Sequence, residues 1–153
     1  MSPLPLWTLA LVARAAGGPR VAEFACQIGD HRTGVLVPRA AEERSDDELD
    51  CRAVVSGLGR AQPLAVELRV LPPTGPFRVV AQSRLERTEE VPGQARLEQL
   101  LVPHSTWSSG VDWRNQRAPR VRLELRVYAH GARPAWRLLA ARRLDLVAWP
   151  QGR

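Results

Sequence analysis

Apolar side chains recur at every second position in two stretches of this chain, and that period limits what it can fold into. In Leu64 to Leu71, Leu64, Val66, Leu68 and Val70 share one phase, while Ala65, Glu67 and Arg69 take the other. In Val121 to Ala129, Val121, Leu123, Leu125, Val127 and Ala129 alternate with Arg122, Glu124, Arg126 and Tyr128. A helix would scatter these apolar groups around its circumference. A strand gathers them on one face, with the charged residues on the other.

Weaker alternation marks further strands. Phe24, Cys26 and Ile28 alternate with Glu23, Ala25 and Gln27, and Phe77, Val79 and Ala81 with Arg78, Val80 and Gln82. Cys51, Ala53 and Val55 share a phase in Asp50 to Leu58, and Gly34 to Val37 reads as a short edge. Near the C-terminus, His130 to Pro134 supplies a turn, after which Trp136, Leu138 and Ala140 begin a returning strand. Its phase shifts near Ala141 and Arg142, before Leu144 and Leu146, as one inserted residue would make it.

Two stretches are ambiguous. Ala95 to Val102 suits a strand or a turn or two of helix, because Leu97, Leu100 and Leu101 also fit helical spacing. Glu42 to Leu49 contains Ser45-x-x-Glu48, a helix-start pattern. Glycine and proline clusters recur about every 10 residues, the spacing expected of a sandwich or barrel. The 13 prolines disfavour long helices.

The expected fold is therefore all-β: a two-layer antiparallel β-sandwich of about seven to nine strands, with at most one or two short helices. Residues 1–153 read as one domain, since no repeat or linker divides them. The expected inner faces hold Leu64, Val66, Leu68, Val70, Phe77, Val79, Val121, Leu123, Leu125, Val127, Trp136 and Leu138. The pattern loosely resembles immunoglobulin-like and C2-like sandwiches. The antibody arrangement of two cysteines around a tryptophan is missing, because Cys26 and Cys51 are close and no tryptophan separates them.

Composition narrows the function. Hydrophobic residues make up 44% of the chain, too many for a disordered one. The net charge is +6, and all 22 basic residues are arginine. With a single isoleucine and a single asparagine, this reads first as a GC-rich, bacterial genome and only second as a nucleic-acid footprint. Cys26 and Cys51 suit either one disulfide or two small buried thiols. The apolar run Leu4 to Ala13 reads as a first strand in a cytoplasmic protein. The alternative is a signal peptide over residues 1–15 and a secreted or periplasmic protein. The run is too short for a transmembrane helix, which takes about 20 residues.

Candidate sites are few. The segment Pro103 to Pro119 carries Trp107 and Trp113 with Asp112 and Asn115 beside them, a set suited to stacking on a sugar ring or anchoring a partner. The alternative is that the tryptophans turn inward and pin the segment. The acidic run from Glu42 to Asp50 fits a solvated turn better than a calcium loop. Arg69, Arg78, Arg84, Arg122 and Arg126 fall on polar strand faces, but Glu67, Glu86 and Glu124 share those faces, which suits cross-strand pairing better than a phosphate-tracking surface. Ser105, His104 and Asp112 are the nearest approach to a catalytic set, and no phosphate-binding, nucleophile-elbow or zinc motif occurs. No cofactor or metal is expected. The expectation is a non-catalytic protein-interaction or structural module of a bacterial multi-component assembly, binding a protein partner or itself. A carbohydrate-binding module using the loop tryptophans and a basic nucleic-acid-binding domain are the alternatives.

Overall fold

The computed structural model describes residues 18–28, 48–59, 62–112, 114, 119–130 and 136–147. These form eight strands: β1 (Arg20–Ile28), β2 (Leu49–Ser56), β3 (Leu64–Leu71), β4 (Arg78–Arg87), β5 (Ala95–Val102), β6 (Val111–Asp112), β7 (Arg120–His130) and β8 (Trp136–Val147). One helical turn, α1 (His104–Trp107), and a 3-10 turn (Ser108–Gly110) lie between β5 and β6. The expectations for residues 1–15, Gly34 to Val37 and Glu42 to Asp47 fall outside the described residues.

The two best-patterned segments become neighbours. β3 and β7 pair antiparallel from Leu64 opposite Ala129 to Leu71 opposite Arg122. Their alternating apolar residues are almost wholly buried, and the rest of the sheet is laid around them. All pairings are antiparallel, in the path β1-β2-β5-β4-β3-β7, with β8 continuing from β7 and the short β6 pairing with the start of β7. β4 carries the turn in this path. It pairs with β3 along most of its length but with β5 only through Glu86 and Arg87. The sheet thus curls nearly into a barrel around one apolar core.

The curl has a local cause in the sequence. Register shifts interrupt the β1–β2, β2–β5, β3–β4 and β7–β8 ladders, and each inserts one residue into one strand. Such bulges increase twist and bend a sheet toward closure. The bulge in β1 falls at Ala22, so that Val21 and Phe24 both face the core. In β5 the insertion lies between Leu97 and Leu100, and Ala95, Leu97, Leu100 and Val102 are buried. That spacing imitates a helix, which explains the ambiguity of this segment.

Two bulges correct the expected inner face. In β4, Ala81 pairs with Leu68 but Val79 with Arg69, leaving Val80 as the inserted residue. Val79 therefore turns outward and is 40% exposed. Phe77 precedes the strand on the same outer side and lies over the Arg69 guanidinium, whose central carbon is 3.7 Å from the ring centre. In β8 the inserted residue is Leu139, between Leu138 opposite Tyr128 and Ala140 opposite Val127. The phase change was expected near Ala141 and Arg142, two residues later. Moving it forward turns Trp136 and Leu138 outward, while Ala140, Leu144 and Leu146 pack against the core.

Two covalent or polar ties secure the margin strand β1. Cys26 lies opposite Cys51 in the ladder, and the two form a disulfide, with Cα atoms 4.1 Å apart. On the other side, no ladder joins β1 to β8 among the described residues. The Arg142 guanidinium spans that gap instead, donating from Nη1 to the carbonyls of Ala22 (2.7 Å) and Val21 (3.2 Å). The bulge at Ala22 puts both carbonyl oxygens within its reach.

Candidate functional site

Four strands, β4, β3, β7 and β8, present a continuous outer face whose residues follow from the ladder registers. One row across it reads Arg84, Ala65, Tyr128, Leu138; the next reads Gln82, Glu67, Arg126, Ala141; a third reads Val79, Arg69, Glu124, Arg143. Period-2 alternation puts the polar phase here.

Most charges on this face are paired. Glu124 is only 6% exposed and accepts from Arg126 Nε (2.7 Å) and Arg143 Nε (3.1 Å). Burial alone would push its carboxyl up, but the hydrogen bonds and charges of the two arginines outweigh that and hold it below the usual carboxylate range. Arg122 Nε donates to Asp145 at 3.0 Å, and Arg69 Nε donates to Glu67. Tyr128 Oη makes longer contacts with Glu67 and Arg69. Arg84, opposite Ala65 on this face, makes no such pair with another described residue.

Beside this network lies an apolar corner. Trp136 and Leu138 are 47% and 45% exposed, and the His130 ring meets Trp136 edge-on at 4.9 Å. Ala65 sits between the long side chains of Arg84 and Tyr128, and its single methyl leaves a trough. The opening is about 550 Å³, bordered by Glu67, Gln82, Arg84, Tyr128 and Trp136. The face thus offers aromatic surface, the Arg84 guanidinium and a concavity. Compared with known proteins, the chain matches no family model and no curated protein.

Of the residues singled out from the sequence, Trp107 and Asp112 are described, and both lie away from this corner. Trp107 is 2% exposed. α1 begins where Pro103 lends its carbonyl to the N–H groups of Thr106 and Trp107, and this turn drives the indole into the core end. The His104 ring packs edge-on against it at 4.9 Å. Trp107 is therefore not a stacking platform, and the inward alternative holds for it. Asp112 is committed to a turn. Arg114 donates to its carboxylate from the backbone N–H (3.0 Å), Nε (2.9 Å) and Nη2 (2.7 Å). These bonds lower the Asp112 pKa to about 2. Trp113 and Asn115 lie outside the described residues, as does the acidic run up to Asp47.

Of the arginines expected on polar faces, Arg69, Arg84, Arg122 and Arg126 lie there, the first, third and fourth taken up by carboxylates of the same face, whereas the Val80 bulge places Arg78 opposite the buried Val70 and off that face. Arg78 donates to Ser109 Oγ at 2.9 Å. Among the described residues, no three His, Cys, Asp or Glu side chains gather as a metal site would require. Trp136 and Leu138 were missed as surface residues because Leu138, Leu139, Ala140 and Ala141 are all apolar. No polar side chain marks the phase across the bulge.

Proposed function

We propose that the chain is a non-catalytic protein-interaction or structural module of a bacterial multi-component assembly. One observation carries this reading: Trp136 and Leu138 stand half exposed at the edge of a face most of whose charges are paired with one another. Tryptophan, tyrosine and arginine are the residues that concentrate binding energy at protein interfaces. A large apolar patch rimmed by polar groups is the usual form of such a site. The same pairing counts against a nucleic-acid surface, because Glu67, Glu124 and Asp145 would repel phosphates that the arginines attract. The burial of Trp107 removes one of the two aromatic rings on which the carbohydrate reading rested.

We further read the flattened sheet as two facing layers, β1, β2 and β5 against β4, β3, β7 and β8, a sandwich joined at β4. The Cys26–Cys51 disulfide favours an oxidising compartment, periplasmic or extracellular, over the cytoplasm first expected. No helix among the described residues is long and apolar enough to cross a membrane.

The test is affinity capture of native partners by the intact chain and by a Trp136→Ser/Leu138→Ser variant of equal thermal stability, with light scattering for self-association. A protein held by the first and released by the second supports the module. Identical captured sets, together with a monomer in both cases, would remove it. A response of tryptophan fluorescence to a glycan panel would favour the sugar reading instead.

A further inference from the structure

The trough over Ala65 differs from the rest of its face in one respect. Its acid is already engaged and its base is not. Glu67 receives Arg69, with longer contacts from Gln82 and Tyr128, so its oxygens have little capacity left for a ligand. Arg84, directly opposite Ala65 in the ladder, has no partner among the described residues. Its planar guanidinium can take a carboxylate through two parallel hydrogen bonds. Across the trough stand Tyr128 and Trp136, with Leu138 in the same row as Tyr128.

We propose that this trough binds an extended segment of a protein partner that presents a carboxylate to Arg84 and an apolar side chain to Tyr128 and Trp136. The inference rests on the reading of the chain as an interaction module and names the partner's chemistry. Charge complementarity selects the occupant. The chain carries a net charge of +6. A second copy would bring like charge to the same place. A nucleic acid would bring a row of phosphates, but Glu67, Glu124 and Asp145 interrupt any row of cations on this face. An isolated acid beside an apolar residue meets neither obstacle. β8 also borders the trough, through Trp136.

Calorimetric titration of the intact chain tests this with blocked peptides alternating leucine with glutamate. The same peptides with lysine for glutamate, oligothymidylate and a β-glucan oligosaccharide serve as comparisons. The Leu/Glu peptide is expected to bind, and the Leu/Lys peptide at least about tenfold more weakly. Trp136→Ala is expected to lose about thirtyfold in affinity, and Arg84→Glu to reverse the preference between the two peptides. Ala65→Gln fills the trough without truncating any contact and is expected to abolish binding. All three changes lie on the exposed face, and unchanged melting temperatures confirm that each variant folds. Equal affinity for the two peptides, no binding of either, unaltered binding by the three variants, or preference for oligothymidylate or the oligosaccharide would each overturn the proposal. Native-partner capture, run in parallel, keeps the two readings apart. A partner held equally by wild type, Arg84→Glu and Ala65→Gln but released by Trp136→Ser/Leu138→Ser leaves the module reading intact and removes the trough.

Discussion

Replacing Gly110 by alanine is expected to break the packing of the turn that carries Trp107. A Cβ built there would lie 1.8 Å from Val70 Cγ1 and 3.1 Å from Val70 Cβ. Carbon atoms pack at about 3.5–4.0 Å, so the two groups cannot coexist unmoved. Val70 has little freedom to yield. It is 2% exposed, held in β3 between Arg78 and Leu123, and β-branched side chains are stiff at χ1. Overpacking of this kind costs about 1–3 kcal/mol. Val70→Ala alone removes two methyl-sized groups and leaves a cavity, costing about 2 kcal/mol. In the double variant the new methyl enters the space that Cγ1 vacated. Its destabilisation is therefore expected near that of Val70→Ala alone, with a favourable coupling of about 1–2 kcal/mol. Urea unfolding of the four proteins with the disulfide intact measures this through the midpoint at constant slope. Additivity within about 0.5 kcal/mol would show that Gly110 and Val70 do not share the space assigned to them.

Other perturbations follow from the same structure. Reducing the Cys26–Cys51 bond, or replacing both cysteines by alanine, frees a loop of sequence separation 25. By loop entropy this costs about 3.5 kcal/mol, which scanning calorimetry should read as a fall of about 7–14 °C in Tm for a chain of this size. Glu124 has its carboxyl held below the usual range, so the stability it confers is present above ordinary carboxylate values and is lost as pH falls through its lowered one. Glu124→Gln should lower stability at neutral pH and flatten the acid limb of a stability-versus-pH curve; an unchanged limb would assign it elsewhere. Asp112 should stay ionised to about pH 2, and Arg114→Ala should return its titration, followed by carboxyl NMR, toward 3.8. Arg142→Met should speed amide hydrogen exchange in β1 more than in β3, at a cost of about 1 kcal/mol for the lost charged hydrogen bonds.

Where the pattern was regular, sequence and structure agree closely. The alternation of Leu64 to Leu71 and Val121 to Ala129 identified the two central strands and their buried phases. Where a strand carries an inserted residue, a strict period of two misassigns everything beyond it. That is how Val79 and Trp136 were placed inside, and why Leu97, Leu100 and Leu101 looked helical. A bulge adds no residue type of its own; it shows only as a slip between apolar phases, and in Leu138 to Ala141 there is no polar residue to reveal the slip. The partnership of Asp112 with Arg114 was readable in principle, since the two lie two apart and aspartate favours local turns. The trough was not, because it depends on Ala65 lying between Arg84 and Tyr128, residues brought together by strand pairing alone.

A sheet that bends until its first and last strands come near each other puts two hazards in one place. Each such rim, left bare, would invite strands from other molecules and seed insoluble fibres. Here the rims lie side by side, and among the described residues the Arg142 guanidinium bonds one to the other without a ladder between them. The fold therefore guards its own margins by proximity, and losing one side chain would leave two templates for misassembly where there had been a seam.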